Sequence, residues 1–561
     1  MSISESFLDN FPTGFVPRLE QKTILQDIQD AVKSNFRNII LCAPTGIGKS
    51  HIAVASAKSI GSSFIITAQK ILQDQYTKDF PSILPVKGKS NFPCLDLYYE
   101  QKLTYEQAAN DPTLSCSKGV CSWVERGNDG TDKTIQCKYK PEKNIFSVTH
   151  AGTDLEIVSI PDETTCHYYL QKYRALNATH SIFNYPSYFQ TRKYSQGIQE
   201  YLDRDCIIAD EAHEIESQII DFIGSDITQR YLNDVNLDFD NFDIKGIDDI
   251  KNLIRVLGDE YDKRANDLKN DETDPQRNIY EYRRDKMDSL LTEIRLDAEN
   301  LVAQYTSDNS NKINVIHVKP INISRYTDQF FDAKFNIFVS ATINKRMFCK
   351  TMGIDESTCA FIDVSKSPFA AKHRKIEFLN LKKLNYNTTN SEYAVIYQKI
   401  NELLQLHSNE KGLILTTNKK QCFDLFDHVS DPSRLKMVHG DVEQQREEII
   451  RQHVTTSAPQ VLVSPSLWYG VDLKDDLSRF QIILKTPYPS LADERTKIKA
   501  AKQPLWYQYV TLIKLLQGFG RSIRNDKDYA ITYVIDTSAH DLIHKMRLFV
   551  PKSYDDILQI K

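Results

Sequence analysis

The sequence predicts an α/β protein of two doubly wound parallel-sheet units, the first interrupted by two insertions. Three observations carry that expectation: short apolar runs that end in small or polar residues, amphipathic stretches between them, and one glycine-containing loop joining a run to a helix-competent segment. The runs are Asn38 to Cys42, Phe64 to Thr67, Cys206 to Ala209 and Phe335 to Val339, then Leu413 to Thr416, Val461 to Val463, Gln481 to Leu484 and Ile531 to Ile535. Runs of this length read as strands buried on both faces. Stretches such as Tyr507 to Leu516 read as the crossover helices between them.

A chain of 561 residues exceeds a single core, and at roughly 100 to 200 residues per domain several packed units are expected. The first α/β domain is assigned to 1–87, 180–213 and 333–345, and the second to 346–561. Residues 88–179 form a polar, strand-poor insertion carrying Cys94, Cys116, Cys121, Cys137 and Cys166. Residues 214–332 form a charged insertion. Within Asp248 to Tyr305, Leu253, Ile254, Leu257 and later Leu290, Leu291 and Ile294 recur at helical spacing, so this insertion is expected to be helical.

Hydrophobic residues at 41% and charged residues at 26% are ordinary for a soluble globular chain. No run of about 18 apolar residues could span a bilayer, so no membrane association is expected. Met1 to Arg18 carries Glu5 and Asp9 rather than a basic cluster before an apolar run, which points to an intracellular location. Thiols stay reduced there, so clustered cysteines suggest metal rather than disulfides. The net charge of -5 does not identify a partner.

After the first run comes Ala43-Pro44-Thr45-Gly46-Ile47-Gly48-Lys49-Ser50, followed by a helix-competent segment. This is a Walker A loop in its strand-loop-helix context, with Ala43 where the general pattern has its first glycine. Glycines let backbone N–H groups approach phosphates, Lys49 reaches the β/γ-phosphates, and Ser50 ligates Mg²⁺. The run Cys206 to Ala209 ends in Asp210-Glu211-Ala212-His213, where Asp210 can face that Mg²⁺ and Glu211 can polarise the attacking water. Taken alone, such acids also suit a helix N-terminus. Gln517-Gly518-Phe519-Gly520-Arg521-Ser522-Ile523-Arg524 sets Arg521 and Arg524 three residues apart on one helix face. From there they could cross a cleft to stabilise the transferring phosphoryl group.

In this order, the Walker A loop, Asp210 to His213, Ser340-Ala341-Thr342 and Gln517 to Arg524 resemble the motifs of superfamily-2 helicases. Arg18-Leu19-Glu20-Gln21 is similar to the adenine-reading motif of that superfamily, with Arg18 and Gln21 at the base. Thr67-Ala68-Gln69 is similar to its first DNA-contacting motif, and Gly412 to Asn418 to its fourth. Ser464 to Leu473, with Trp468, Gly470 and Asp472, is similar to its fifth motif, which puts Asp472 at the nucleotide. Lys87-Gly88-Lys89-Ser90-Asn91-Phe92-Pro93-Cys94, Cys166-His167-Tyr168-Tyr169 and Ser367-Pro368-Phe369 resemble segments of XPD/DinG-like iron-sulfur helicases. The resemblance spans roughly residues 15 to 540.

It implies two RecA-like domains, an iron-sulfur domain over 88–179 and an arch-like insertion over 214–332. Four thiolates suit either a zinc ion or a [4Fe-4S] cluster, and spacing alone leaves both open. The resemblance implies the [4Fe-4S] cluster, held by four of Cys94, Cys116, Cys121, Cys137 and Cys166, and the fifth is not identified. Cys42, Cys206, Cys349, Cys359 and Cys422 read as buried small apolar residues.

The activity implied is that of an ATP-dependent DNA helicase, a monomeric motor moving 5′ to 3′ on single-stranded DNA and opening forked or 5′-overhang duplexes. Phosphates would be gripped by Thr67 and Ser464, with Tyr185, Tyr188 and Trp468 either stacking on bases or packing in the core. Two other readings stay open: a nucleotide-dependent loading factor that separates no strands, and an RNA-directed motor, since Asp-Glu-Ala-His also occurs in RNA helicases.

Overall fold

The computed structural model describes residues 4–558 apart from 69, 100, 120–123, 127–131, 135–136, 141–145, 149–154, 158–164, 195–201, 245, 269–274, 308–311, 386, 439–442, 469–472 and 524–527. Two parallel sheets organise it. The first has seven strands in the spatial order Cys359–Asp363, Asn38–Cys42, Phe335–Ser340, Cys206–Asp210, Ser63–Thr67, His180–Asn184, Leu84–Val86. The second has six, in the order Arg374–Lys382, Ala530–Asp536, Phe480–Ile483, Gly412–Leu415, Val461–Ser464, Leu435–Met437.

Both faces of each sheet are covered, which is why the strands are continuous apolar runs rather than alternating ones. In the strand Asn38–Cys42, Ile40 and Cys42 join a core on one face with Phe64, Ile66 and Phe338. Ile39 and Leu41 join the opposite core with Ile65 and Ile337. Each fully buried side chain of this kind contributes about 1.5–3 kcal/mol relative to exposure. The second sheet is covered in the same way.

Sheet order fixes where the motifs end. Three adjacent parallel strands carry Asn38–Cys42, Phe335–Ser340 and Cys206–Asp210, with Cys42 opposite Ser340 and Val339 opposite Asp210. Their C-terminal ends therefore open at one rim, where the Walker A loop, Ser340-Ala341-Thr342 and Asp210 to His213 meet. The strand Cys359–Asp363 pairs with Asn38–Cys42, so the first sheet draws a strand from beyond residue 345, the boundary expected for that domain.

The charged insertion holds an antiparallel helix pair, Ile247–Asp267 and Pro275–Asp297. Leu253, Ile254, Leu257 and Tyr261 of the first pack with Met287, Leu290, Leu291 and Ile294 of the second. The expected helical reading of 248–305 holds only to residue 297. A three-stranded antiparallel sheet of Ser225–Thr228, Ile313–Pro320 and Leu301–Ser307 closes the insertion.

The cysteine insertion holds the short helices Leu95–Tyr98 and Tyr105–Ala109, the longer helix His167–Asn177, and two small hairpins. Among the described residues no helix is long and apolar enough to cross a membrane. Leu257 is completely buried between the two insertion helices. Leu257→Ala is expected to cost about 2–5 kcal/mol and to lower the first thermal transition of the full chain; an unchanged transition would contradict this packing.

Candidate nucleotide site and cysteine cluster

Gly46 and Gly48 of the Walker A loop have φ of +80° and +84°, a backbone that disfavours any residue with a Cβ. The helix that follows, Lys49–Ile60, begins with Lys49 and Ser50. Ala43 donates its N–H to the Ser340 carbonyl (2.9 Å), tying the loop to the neighbouring strand end. Arg18 Nη1 donates to the Gly46 carbonyl (3.0 Å), and the Arg18 backbone N–H donates to Gln21 Oε1 (2.9 Å). Both residues of the expected base-reading motif thus lie against the loop.

Asp210 is buried, with Oδ2 accepting from the Tyr76 hydroxyl (3.0 Å) and Oδ1 from the Glu211 N–H (2.9 Å). Burial and then the neighbouring Glu211 charge push its carboxyl up to about 6, against the pull of Lys49 and of the Tyr76 hydroxyl. Glu211 takes a left-handed backbone, φ +51°, which turns the chain sharply after Asp210. His213 Nδ1 lies 3.0 Å from Ser340 Oγ. Burial drives its imidazole down to about 4, the Glu211 charge opposes this, and the charges of Arg521 and Lys49 add to it. The two cations therefore act on one residue from opposite lobes.

Gln517 and Arg521 close the helix Pro504–Phe519 and the turn after it. Gln517 Nε2 donates across the seam to Thr342 Oγ1 (2.7 Å), and Arg521 Nη2 donates to Gln517 Oε1 (3.3 Å). Gly520 sits so close that a Cβ there would come within 3.3 Å of Thr45 Oγ1. Lys49, Asp210, Glu211, Gln517 and Arg521 are thus gathered at one seam. Arg524, Asp472, Gly470 and Gln69 lie outside the described residues.

Other expectations change. Tyr185 and Tyr188 are fully buried in the first core. Trp468 is buried in the second core, its Nε1 donating to the Thr416 carbonyl (2.9 Å). None of the three offers a face to a base, because each ring is spent on packing. Ser464 Oγ donates to the Val438 carbonyl (2.7 Å) and accepts from the Ser466 and Leu467 N–H groups, so its hydroxyl is held by the protein rather than turned to a phosphate. Thr67 is likewise buried.

A knot of charge that the sequence did not reveal joins the lobes beside this site. Glu216, one turn past the Asp-Glu-Ala-His motif, accepts from Arg495 Nη2 (2.6 Å), Lys499 Nζ (2.5 Å) and Trp506 Nε1 (2.9 Å). Burial alone would raise its carboxyl, but Lys499 and Arg495 outweigh it and hold the group below its ordinary value. Arg495 also donates to the Pro320 and Ile321 carbonyls. The partners are some 280 residues apart in sequence, so no local pattern announces the contact.

Cys94, Cys116, Cys137 and Cys166 pack in one cluster with Tyr168, Tyr169 and Tyr173. Backbone bonds knit the four segments together: Cys94 to Leu114, Cys116 to Phe92 and Cys166 to Tyr139. The hydrogen bond from Cys116 holds the thiols of Cys94 and Cys166 below their ordinary value, against the effect of burial. Gly119 leaves room for this, since a Cβ there would come within 2.5 Å of Cys94 Sγ. Cys121 lies outside the described residues. Among the described residues no three His, Cys, Asp or Glu side chains already stand as a metal site. The donor set nonetheless fits a thiolate-ligated group: four reduced thiols, buried together. A cavity of about 900 Å³ lies between this insertion, the first lobe and the helix pair, with Lys89, Lys172, Lys193 and Lys286 and the rings of Tyr169 and Tyr282 on its walls.

Residues 14–239 match the family described as type III restriction enzyme, res subunit, and residues 400–550 the helicase C-terminal domain family. The chain is 23% identical over 598 residues to the ATP-dependent DNA helicase YoaA of Haemophilus influenzae, covering 93% of this chain and 91% of that protein. To the protein of the same name from Escherichia coli it is 22% identical over 596 residues, covering 93% and 92%. The fold is shared with the solved structure of an XPD helicase, at TM-score 0.59 and 15% identity over 95% of this chain and 98% of that one. It is shared also with Xpd4 of S. tokodaii, at TM-score 0.55 and 14% identity over 94% and 98%. This chain is an XPD/DinG-like helicase of superfamily 2.

As an XPD/DinG-like helicase it hydrolyses ATP, and the charge knot at Glu216 ties the lobe carrying Asp210 to the lobe carrying Arg521. Glu216→Ala would leave Arg495 and Lys499 buried without their anion, a loss of about 3–5 kcal/mol. Lower thermal stability, partly restored by adding Lys499→Met, is the expected result; equal stability of Glu216→Ala and the parent would contradict the knot.

Proposed function

We propose that this helicase converts ATP hydrolysis at the seam into 5′ to 3′ movement along single-stranded DNA, separating forked or 5′-overhang duplexes as a monomer. The observation that carries the proposal is the bond from Gln517 to Thr342, which sets Arg521 of one lobe against the Walker A loop and acidic motif of the other. In this reading Lys49 holds the β/γ-phosphates, Ser50 and Asp210 hold Mg²⁺, Glu211 orients the attacking water, and Arg521 with Arg524 neutralises charge on the transferring group. Pro44 to Gly48 wrap the phosphates, Arg18 and Gln21 meet the base, and Asp472 joins from the second lobe. Hydrolysis weakens the bridge, and the lobes part.

DNA as the substrate is supported by the named activity of the YoaA relatives, and polarity by the XPD/DinG-like resemblance. The lysines and tyrosines on the walls of the large cavity suit a strand held through its phosphates and stacked bases, independent of sequence. In the insertion, four of Cys94, Cys116, Cys121, Cys137 and Cys166 would hold a [4Fe-4S] cluster, and the shared core of Cys94, Cys116, Cys137 and Cys166 supports those four. The cluster would supply four metal-thiolate bonds that fix these segments, so that the insertion can act as a wedge.

Lys49→Ala is expected to abolish DNA-stimulated ATP hydrolysis while the protein keeps its thermal transition. Unchanged turnover would remove the site. Cys94→Ser or Cys166→Ser is expected to lose the brown chromophore and unwinding while retaining part of the ATPase; a colourless, zinc-loaded parent purified without oxygen would contradict the cluster. A parent that leaves a 5′-overhang duplex intact, or that RNA stimulates more than DNA, would sink the helicase assignment on DNA.

A further inference from the structure

We propose that His51 is a specificity-determining residue of the nucleotide site, reading the base edge alongside Gln21. The proposal rests on the seam being the ATP site. His51 follows Lys49 and Ser50 directly in the helix Lys49–Ile60, one residue beyond the Walker A loop.

Its ring is enclosed by aromatic side chains: Phe15 edge-on at 4.4 Å, Phe80 edge-on at 5.1 Å and Phe11 stacked at 5.9 Å. Packing alone would be served as well by phenylalanine. Yet among the described residues both ring nitrogens are shut away from solvent with no hydrogen-bond partner. Leaving a buried polar group unsatisfied costs about 1–3 kcal/mol, and native proteins rarely carry that cost where nothing completes the bond.

The position of the ring says what would complete it. A Cβ on Gly48 would lie 2.4 Å from Gln21 Nε2 and 3.7 Å from His51 Nδ1. A side-chain amide and an imidazole nitrogen therefore converge over the glycine that opens the phosphate-binding helix. Arg18 closes the same corner through the Gly46 carbonyl. Phe15, 46% exposed, packs edge-on against the His51 ring at this corner, where a flat heterocycle could stack on its open face.

A neutral imidazole offers one donor and one acceptor. The adenine edge offers an amino donor beside a ring-nitrogen acceptor, whereas hypoxanthine has an oxygen acceptor in place of the amine. Sites built to hydrogen-bond a group discriminate strongly against analogues lacking it, because the protein group is then left unpaired.

The test compares steady-state hydrolysis of ATP and inosine triphosphate at pH 8, in the presence of single-stranded DNA, by the full chain and by His51→Phe, His51→Asn and His51→Ala. His51→Phe preserves the aromatic enclosure, so a folding defect does not mask the result. The parent is expected to prefer ATP in kcat/KM, and His51→Phe to reduce that preference about tenfold, the worth of one hydrogen bond, chiefly through the KM for ATP. His51→Asn, which keeps a donor and an acceptor, should recover part of it. An unchanged ATP-to-inosine-triphosphate ratio in both His51→Phe and His51→Ala, or an equal loss for the two nucleotides, would overturn the assignment of His51. Turnover in Lys49→Ala equal to that of the parent would instead overturn the site on which it rests.

Discussion

A triphosphate that is to be cleaved needs positive charge on more than one side, and in this chain those charges stand on separate sheets. Lys49 opens a helix packed on the first sheet, while Arg521 lies in the turn that follows the helix covering the second. The bond from Gln517 to Thr342 spans the division, and the fields of both cations reach His213 between them. Chemistry in such a seam depends on how far apart the lobes are, and anything that shifts the lobes alters the chemistry. On the function proposed above, coupling between hydrolysis and movement would be a property of this arrangement rather than of any one residue.

Other contacts across the division serve the same geometry. The Asn344 N–H donates to the Tyr509 hydroxyl (2.9 Å), and Met347 packs into the second lobe's core. Glu216 extends the link to the charged insertion, since Arg495 holds both Glu216 and the Pro320 and Ile321 carbonyls that end the insertion's sheet. The strand of acidic motif, helix and insertion is thereby mechanically continuous with the second lobe. A buried ionic knot is costly to assemble, but it registers two bodies in one orientation where an apolar contact would allow sliding.

Much of this was legible in the sequence because buried parallel strands are short, apolar and closed by functional loops. The eight runs read from Asn38 to Ile535 each fall within a strand or within a residue of one. Five strands of the two sheets escaped notice; His180–Asn184 and Cys359–Asp363 are apolar five-residue runs of the same kind as those read, while the other three have physical reasons. Leu84–Val86 and Leu435–Met437 are only three residues long at sheet edges, and Arg374–Lys382 is a polar edge strand with lysines facing outward. Motif residues were legible because the Walker A loop and its acidic partner need particular atoms at fixed spacing. Burial was not, so the rings of Tyr185, Tyr188 and Trp468 could not be assigned to base or core until their surroundings were known. Long-range contacts such as Glu216 to Lys499, and the orphaned nitrogens of His51, arise only when the fold joins distant segments.

The claim on which the account turns is that the second lobe completes the catalytic site of the first. Measuring ATP affinity and DNA-stimulated turnover for Arg521→Ala, side by side with the parent, tests it most directly. The account predicts that the variant still binds ATP, while its turnover falls about 10³-fold or more, the range found when a phosphoryl-stabilising arginine is removed. Turnover equal to that of the parent would contradict the account, because the seam would then contribute nothing to the reaction.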